Sequence, residues 1–106
     1  MIKRIWHGYT TPDNADAYER LLEAEVFPGI ENKKIPGYRS IELYRRTIGD
    51  EVEFTTVMTF DSIENVIAFQ GKDYEAAYVP AAAQSILDRW DARSTHHEVR
   101  ASRHYG

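Results

Sequence analysis

Between Glu51 and Gly71 the hydrophobic pattern changes from the period of a strand to the period of a helix with no loop in between. In Glu51–Phe60 the side chains alternate. Val52, Phe54, Thr56, Met58 and Phe60 share one face, and Glu53, Thr55, Val57 and Thr59 the other. That is a strand with one well-buried face. From Asp61 onward Ile63, Val66, Ile67 and Gln70 fall at helical spacing. Asp61 with Glu64 three residues on has the form of a capping box, and Gly71 stands where a helix ends. A strand that turns into a helix this abruptly is half of a β-α-β unit, and the rest of the chain must supply its partners.

A chain of 106 residues makes one domain, expected to span residues 1–101 with 102–106 as a tail. A domain this size buries roughly two-thirds of its unfolded surface, enough for one core without staples. Thirteen Lys and Arg against seventeen Asp and Glu leave a net charge of −4. Nucleic-acid binding needs a concentrated basic patch, and the nearest thing to one is Arg39, Arg45 and Arg46, two of which point to opposite faces of one strand. The absence of cysteine removes disulfides, thiolate metal sites and cysteine nucleophiles. No apolar run approaches the roughly 20 residues of a membrane span, and the first residues enter a strand pattern without a signal-peptide core. A cytoplasmic protein is the expectation.

Ile2 to Thr10 reads as a strand with apolar members in both alternating sets, which places it centrally in its sheet or under a second layer. Thr11-Pro12 suits a helix start, and Tyr18, Leu21, Leu22, Glu25 and Val26 form an amphipathic stripe that Pro28-Gly29 is expected to break. Tyr38 to Thr47 is a second strand. A two-residue loop at Gly49-Asp50 pairs Ile48 with Glu51, Arg46 with Glu53 and Ile41 with Met58. This register puts the apolar residues of both strands on one face. After Gly71, residues 72–79 read as one helical piece, Pro80 divides it from a second running to Trp90, and Ala92 to Ala101 is a last strand. The order β-α-β-β-α-β gives an α+β, ferredoxin-like fold: a four-stranded antiparallel sheet with both helices on one face. Nothing in the chain covers the other face, where Trp6 or Ile5, Tyr44 and Val57 would stay partly wet. A twofold copy laying its own sheet there is the expected cover, making a homodimer.

The runs Met1–Gly8, Arg45–Arg46, Glu53–Phe54, Asp61–Ser62, Phe69–Glu75, Tyr78–Pro80 and His96–Val99 resemble the antibiotic biosynthesis monooxygenase domain, in order and over nearly the whole chain. More narrowly they resemble its small stand-alone bacterial members. The resemblance implies a dimeric α/β barrel. For chemistry it implies cofactor-independent oxygenation of quinols or anthrones, or haem degradation, or no activity at all. The haem-degrading branch has a ligating histidine on the second helix and an asparagine on the first strand. Residues 62–90 contain no histidine and Ile2–Tyr9 no asparagine, so no cofactor and no metal are expected.

On that reading Trp6, Phe54, Phe69 and Tyr78 would wall a pocket for an aromatic substrate, with Tyr74 beside them. The competing reading is that they fill core volume. His96 and His97 are neighbours on a strand and point to opposite faces, so they cannot readily share a metal. A helix-side His96 could take a phenolic proton, and Tyr74 could hold the hydroxyl. Otherwise His96 is a structural histidine. No nucleophile elbow, phosphate loop, zinc motif or dinucleotide fingerprint is present. Two functions follow: a cofactor-independent monooxygenase acting on an aromatic or polycyclic phenol or quinol with O2, or a non-catalytic binding or interaction domain of the same fold.

Overall fold

One strand, β1 (Ile2–Thr10), holds the sheet together. Its odd and even side chains alternate between half-buried and buried along its whole length, as expected of a central strand. The structure is a computed structural model describing Met1–Gly106. Antiparallel to β1 on one side runs β3 (Glu51–Phe60), and beyond it β2 (Tyr38–Ile48). The expected hairpin register is the observed one: Ile48 opposite Glu51, Arg46 opposite Glu53 and Ile41 opposite Met58. Gly49 takes the turn at φ +57°, a backbone region that glycine enters without strain.

The other side of β1 carries two short strands in place of one. β4 (Arg89–Trp90) pairs with Gly8 and Tyr9, and β5 (Thr95–Glu98) pairs with Ile2 to Ile5. The last strand is therefore shorter than Ala92–Ala101, and Trp90 belongs to the sheet and not to a helix. Asp88 N–H donates to Tyr9 O at 2.8 Å and Asp91 N–H to His7 O at 2.9 Å. These bonds satisfy the β1 backbone that a helix there would leave without partners.

The first helix is not broken at Pro28-Gly29. α1 (Pro12–Leu21) passes through a π-helical turn, Leu22–Val26, into α2 (Phe27–Asn32). Phe27 N–H reaches back five residues to Leu22 O, and this wider ladder absorbs a proline that lacks an N–H and would crowd an ordinary turn. α3 (Ile63–Gln70) is capped by Ser62 with Asn65, not by Asp61 with Glu64. Asp61 pairs with Arg39 at 2.6 Å instead. Gly71 ends α3 at φ +98°. The helix expected over 72–79 does not form, and of the second helical piece only α4 (Ala81–Gln84) is helical.

Residues 71–80 instead form an irregular strap, turned at Asp73–Ala76, whose carbonyls serve tertiary partners. Arg4 donates to Tyr74 O and Ala76 O, and Gln70 Nε2 to Ala76 O and Ala77 O. Ala77 N–H donates to Ala92 O, and Ser94 N–H to Glu75 O. A helix would have spent those carbonyls on itself. The core beneath the helices falls into two clusters, one around Trp6, Tyr18 and Phe54, the other around Met58, Phe60 and Phe69. Fully burying side chains of this size stabilises the fold by roughly 1.5–3 kcal/mol each. All helices lie on this side of the sheet.

Candidate active-site cleft

The gap between the two clusters is written into the strands. The helix-facing side of β1 reads Ile2, Arg4, Trp6, Gly8, and that of β3 reads Phe54, Thr56, Met58, Phe60. Arg4 lies opposite Met58, and Thr56 opposite Trp6. One polar residue thus interrupts each apolar face, in neighbouring cross-strand pairs. Over these pairs the π-helical turn widens the helix, and the strap and α4 form the far wall. A cleft of about 470 Å³, its open mouth included, results. Twelve of its sixteen lining residues are hydrophobic, and Arg4 is the only charged one.

Of the residues expected to form a pocket, Trp6, Phe69 and Tyr78 line this cleft. Trp6 is fixed by Nε1–H donating to Asp91 O at 2.8 Å, and its ring fills the space a side chain at Gly8 would need: a Cβ there would stand 2.7 Å from the ring edge. Phe69 and Tyr78 pack at a ring-centroid distance of 5.0 Å, with Lys33 Nζ 4.5 Å from the Tyr78 ring. Phe54 is fully buried behind the wall, edge-on to Tyr18 at 4.8 Å. Tyr74 and His96 also stand outside the lining, packed edge to face at 5.2 Å.

Arg4 connects them to the cleft. It is 3 % exposed, and its guanidinium donates to Tyr74 O, to Ala76 O and, at 2.9 Å, to His96 Nε2. A guanidinium only donates, so Nε2 of His96 accepts and its proton sits on Nδ1. Nδ1 is buried without a partner. Burial first, and the Arg4 charge second, hold the His96 pKa below its ordinary value. Burial also lowers Arg4 to about 10, which leaves it charged at neutral pH. Ser94, 4 % exposed, lines the cleft with an Oγ that has no partner. Tyr18 lines it too, its phenol pushed up by burial.

Arg4, Ser94 and Tyr18 were not anticipated. A basic residue inside the apolar alternation Ile2-Arg4-Trp6 was the available signal for the first. No three His, Asp or Glu side chains converge as a metal would require, and no helix is long and apolar enough to cross a membrane.

Several solved structures share this architecture. A Bacillus cereus protein named as a candidate antibiotic biosynthesis monooxygenase superposes with a TM-score of 0.64 over 98 % of this chain and 97 % of its own, at 13 % identity. This chain has the antibiotic biosynthesis monooxygenase fold. Rv0793 of Mycobacterium tuberculosis matches with a TM-score of 0.59 at 21 % identity, over 95 % of this chain and 96 % of its own. No family model and no curated protein matches the sequence. At these identities the likeness establishes the fold alone, because one fold hosts many activities.

Proposed function

We propose that the chain is a cofactor-independent monooxygenase acting on an aromatic or polycyclic phenol or quinol with O2, working as a homodimer joined through the open sheet face. The observation that carries this reading is an apolar, aromatic-walled cleft with a single buried cation at its floor, in a monooxygenase fold. Trp6, Phe69 and Tyr78 hold the ring, and Tyr18 offers a hydroxyl. Oxygenation without a cofactor needs the substrate as its electron-rich anion. The anion gives an electron to O2, the radical pair closes a C–O bond at a ring carbon that bears hydrogen, and the peroxide takes back the proton lost on ionisation. Loss of that carbon's hydrogen then breaks the O–O bond, releasing water and leaving a carbonyl. The chain's part is to hold the ring, exclude water and favour the ionised hydroxyl.

A base at His96 would need a ring nitrogen free toward the substrate, but Nε2 accepts from Arg4 and Nδ1 carries the proton. In this reading His96 and Tyr74 position Arg4, and the Arg4 charge stabilises the phenolate. The same engagement of His96 favours the second function, a binding domain without catalysis, because no free base faces the ligand. Oxygen uptake on a panel of hydroquinones and anthrones separates the two. Turnover by the wild type, lowered about tenfold or more in His96→Ala through loss of the Arg4 anchor, supports the enzyme. Binding of the panel without oxygen uptake establishes the binding domain.

A further inference from the structure

The cleft carries a charge that the protein itself leaves unneutralised. Acidic residues outnumber basic ones in this chain, yet no Asp or Glu lines the cleft. Most other arginines that make side-chain contacts have a carboxylate: Arg39 with Asp61, Arg45 with Asp16, Arg46 with Glu53, Arg89 with Glu51, Arg93 with Asp73. Arg4, the buried one, has two carbonyls, a neutral imidazole and the Phe69 ring face at 5.6 Å, but no carboxylate. A guanidinium has five N–H donors, and these contacts use three. Nε–H and one terminal hydrogen have no acceptor in the chain.

A buried charge without a counter-ion is expensive unless something completes it. Three dipolar acceptors hold Arg4 in place, but none carries the opposite charge. Ser94 adds a second incomplete group, a buried hydroxyl on the same cleft. Lys33, which has no carboxylate partner, stands near the rings of Tyr78 and Phe69 and extends the positive field outward. The arrangement is an apolar slot with a fixed cation and a free hydroxyl at its floor.

We infer that the cleft selects ligands that carry an anionic oxygen on an aromatic ring, a carboxylate or an acidic phenol already ionised at neutral pH, with Arg4 pairing the charge and Ser94 donating to it. This rests on the cleft being the ligand site, as proposed above, and holds whether the ligand is oxygenated or only bound. It also narrows the substrate class. A weakly acidic phenol would need a base that His96 does not present, whereas a ligand that ionises by itself needs only the cation. A charge-assisted contact of this kind strengthens binding by roughly tenfold or more.

The test compares 2-naphthoate with 2-naphthalenemethanol, the same ring with and without the charge, by titration calorimetry. The wild type is expected to bind the naphthoate at least tenfold more tightly. Arg4→Gln, which retains donors for the strap carbonyls, should abolish that preference while still binding the alcohol, and Ser94→Ala should reduce it. Equal binding of both probes by the wild type overturns the inference and makes Arg4 a clamp for the strap only, while leaving the cleft as a ligand site. Failure of the wild type to bind either probe overturns the ligand site itself and this inference with it. The wild-type comparison decides the matter even if Arg4→Gln does not fold.

Discussion

His96 stands behind Arg4 with one ring nitrogen accepting from a cation and the other buried, so a second proton on this ring has nowhere favourable to go. Burial and Arg4 lower its pKa, against a smaller opposing pull from Glu75. The unfolded chain, whose histidine titrates near 6.5, therefore takes up the proton first. The stabilisation from a neutral His96 is complete above pH 6.5 and drains away as the pH falls through the lower native value. The carboxylates paired with arginine, Glu53 and Asp61 among them, are also lowered, but from 4.5 and 3.8. Their loss starts in a more acidic window. Thermal unfolding should thus show the midpoint starting to fall as the pH drops below the 6.5 of the unfolded histidine, ahead of the carboxylate limb, and His96→Gln should flatten that segment while leaving the steeper acid limb. A wild-type midpoint that is level across that segment would contradict the Arg4–His96 contact.

Among the elements, those with local signals were legible and those fixed by distant partners were not. The β2–β3 register follows from Gly49-Asp50 and two alternating patterns, because slipping by one residue would turn every apolar side chain outward. The end of α3 follows from Gly71. The strap is the opposite case. Asp73 to Tyr78 has ordinary helix formers, but Arg4 on β1, some seventy residues away in sequence, requires its carbonyls. No local propensity of a few tenths of a kcal/mol per residue competes with the buried charge. At Pro28 the helix runs on for the converse reason, since a π-turn accommodates what a regular helix cannot. The site divides the same way. Trp6, Phe69 and Tyr78 are visible as aromatics on inward faces, while Ser94 sits on a connection whose path only the folded sheet defines. The strap also forms the far wall of the cleft, through Tyr78, Val79 and Pro80. Gln70, with two bonds to it, is the hinge-side anchor. Gln70→Leu, which removes both bonds, should raise amide exchange at Ala77 and Ser94 roughly tenfold or more. Amides of the β1–β3 ladder should be unchanged. Equal acceleration in both places would mean the strap opens only with the whole fold.

At the scale of the molecule, the side of the sheet away from the helices is prepared for removal from water. Its polar groups are largely satisfied within the chain: Lys3 with Thr59 at 2.7 Å, Tyr9 and Arg46 with Glu53 at 3.0 and 2.6 Å, His7 with Asp91 at 2.8 Å. A surface whose donors and acceptors are already paired loses little on being covered, since covering strands none of them. Between these pairs lies an apolar strip. Ile5 and Val57 are direct neighbours on β1 and β3, and Tyr44, half exposed, stands on β2 opposite Thr55, one same-face pair along. The strip is fit to meet a copy of itself, because a twofold axis lays Val57 against the partner's equivalent surface without requiring a second kind of protein. In the isolated chain Val57 is partly open to solvent, so Val57→Asp should leave the fold intact by circular dichroism. In the proposed homodimer the same change would bury an unpaired carboxylate on each copy, at a cost of several kcal/mol. Sedimentation velocity at micromolar concentration should therefore find the wild type at twice the 12.3 kDa of the chain and Val57→Asp at the chain mass. A wild type that sediments as the single chain would leave the sheet face bare in solution, and the proposed homodimer would have to be given up.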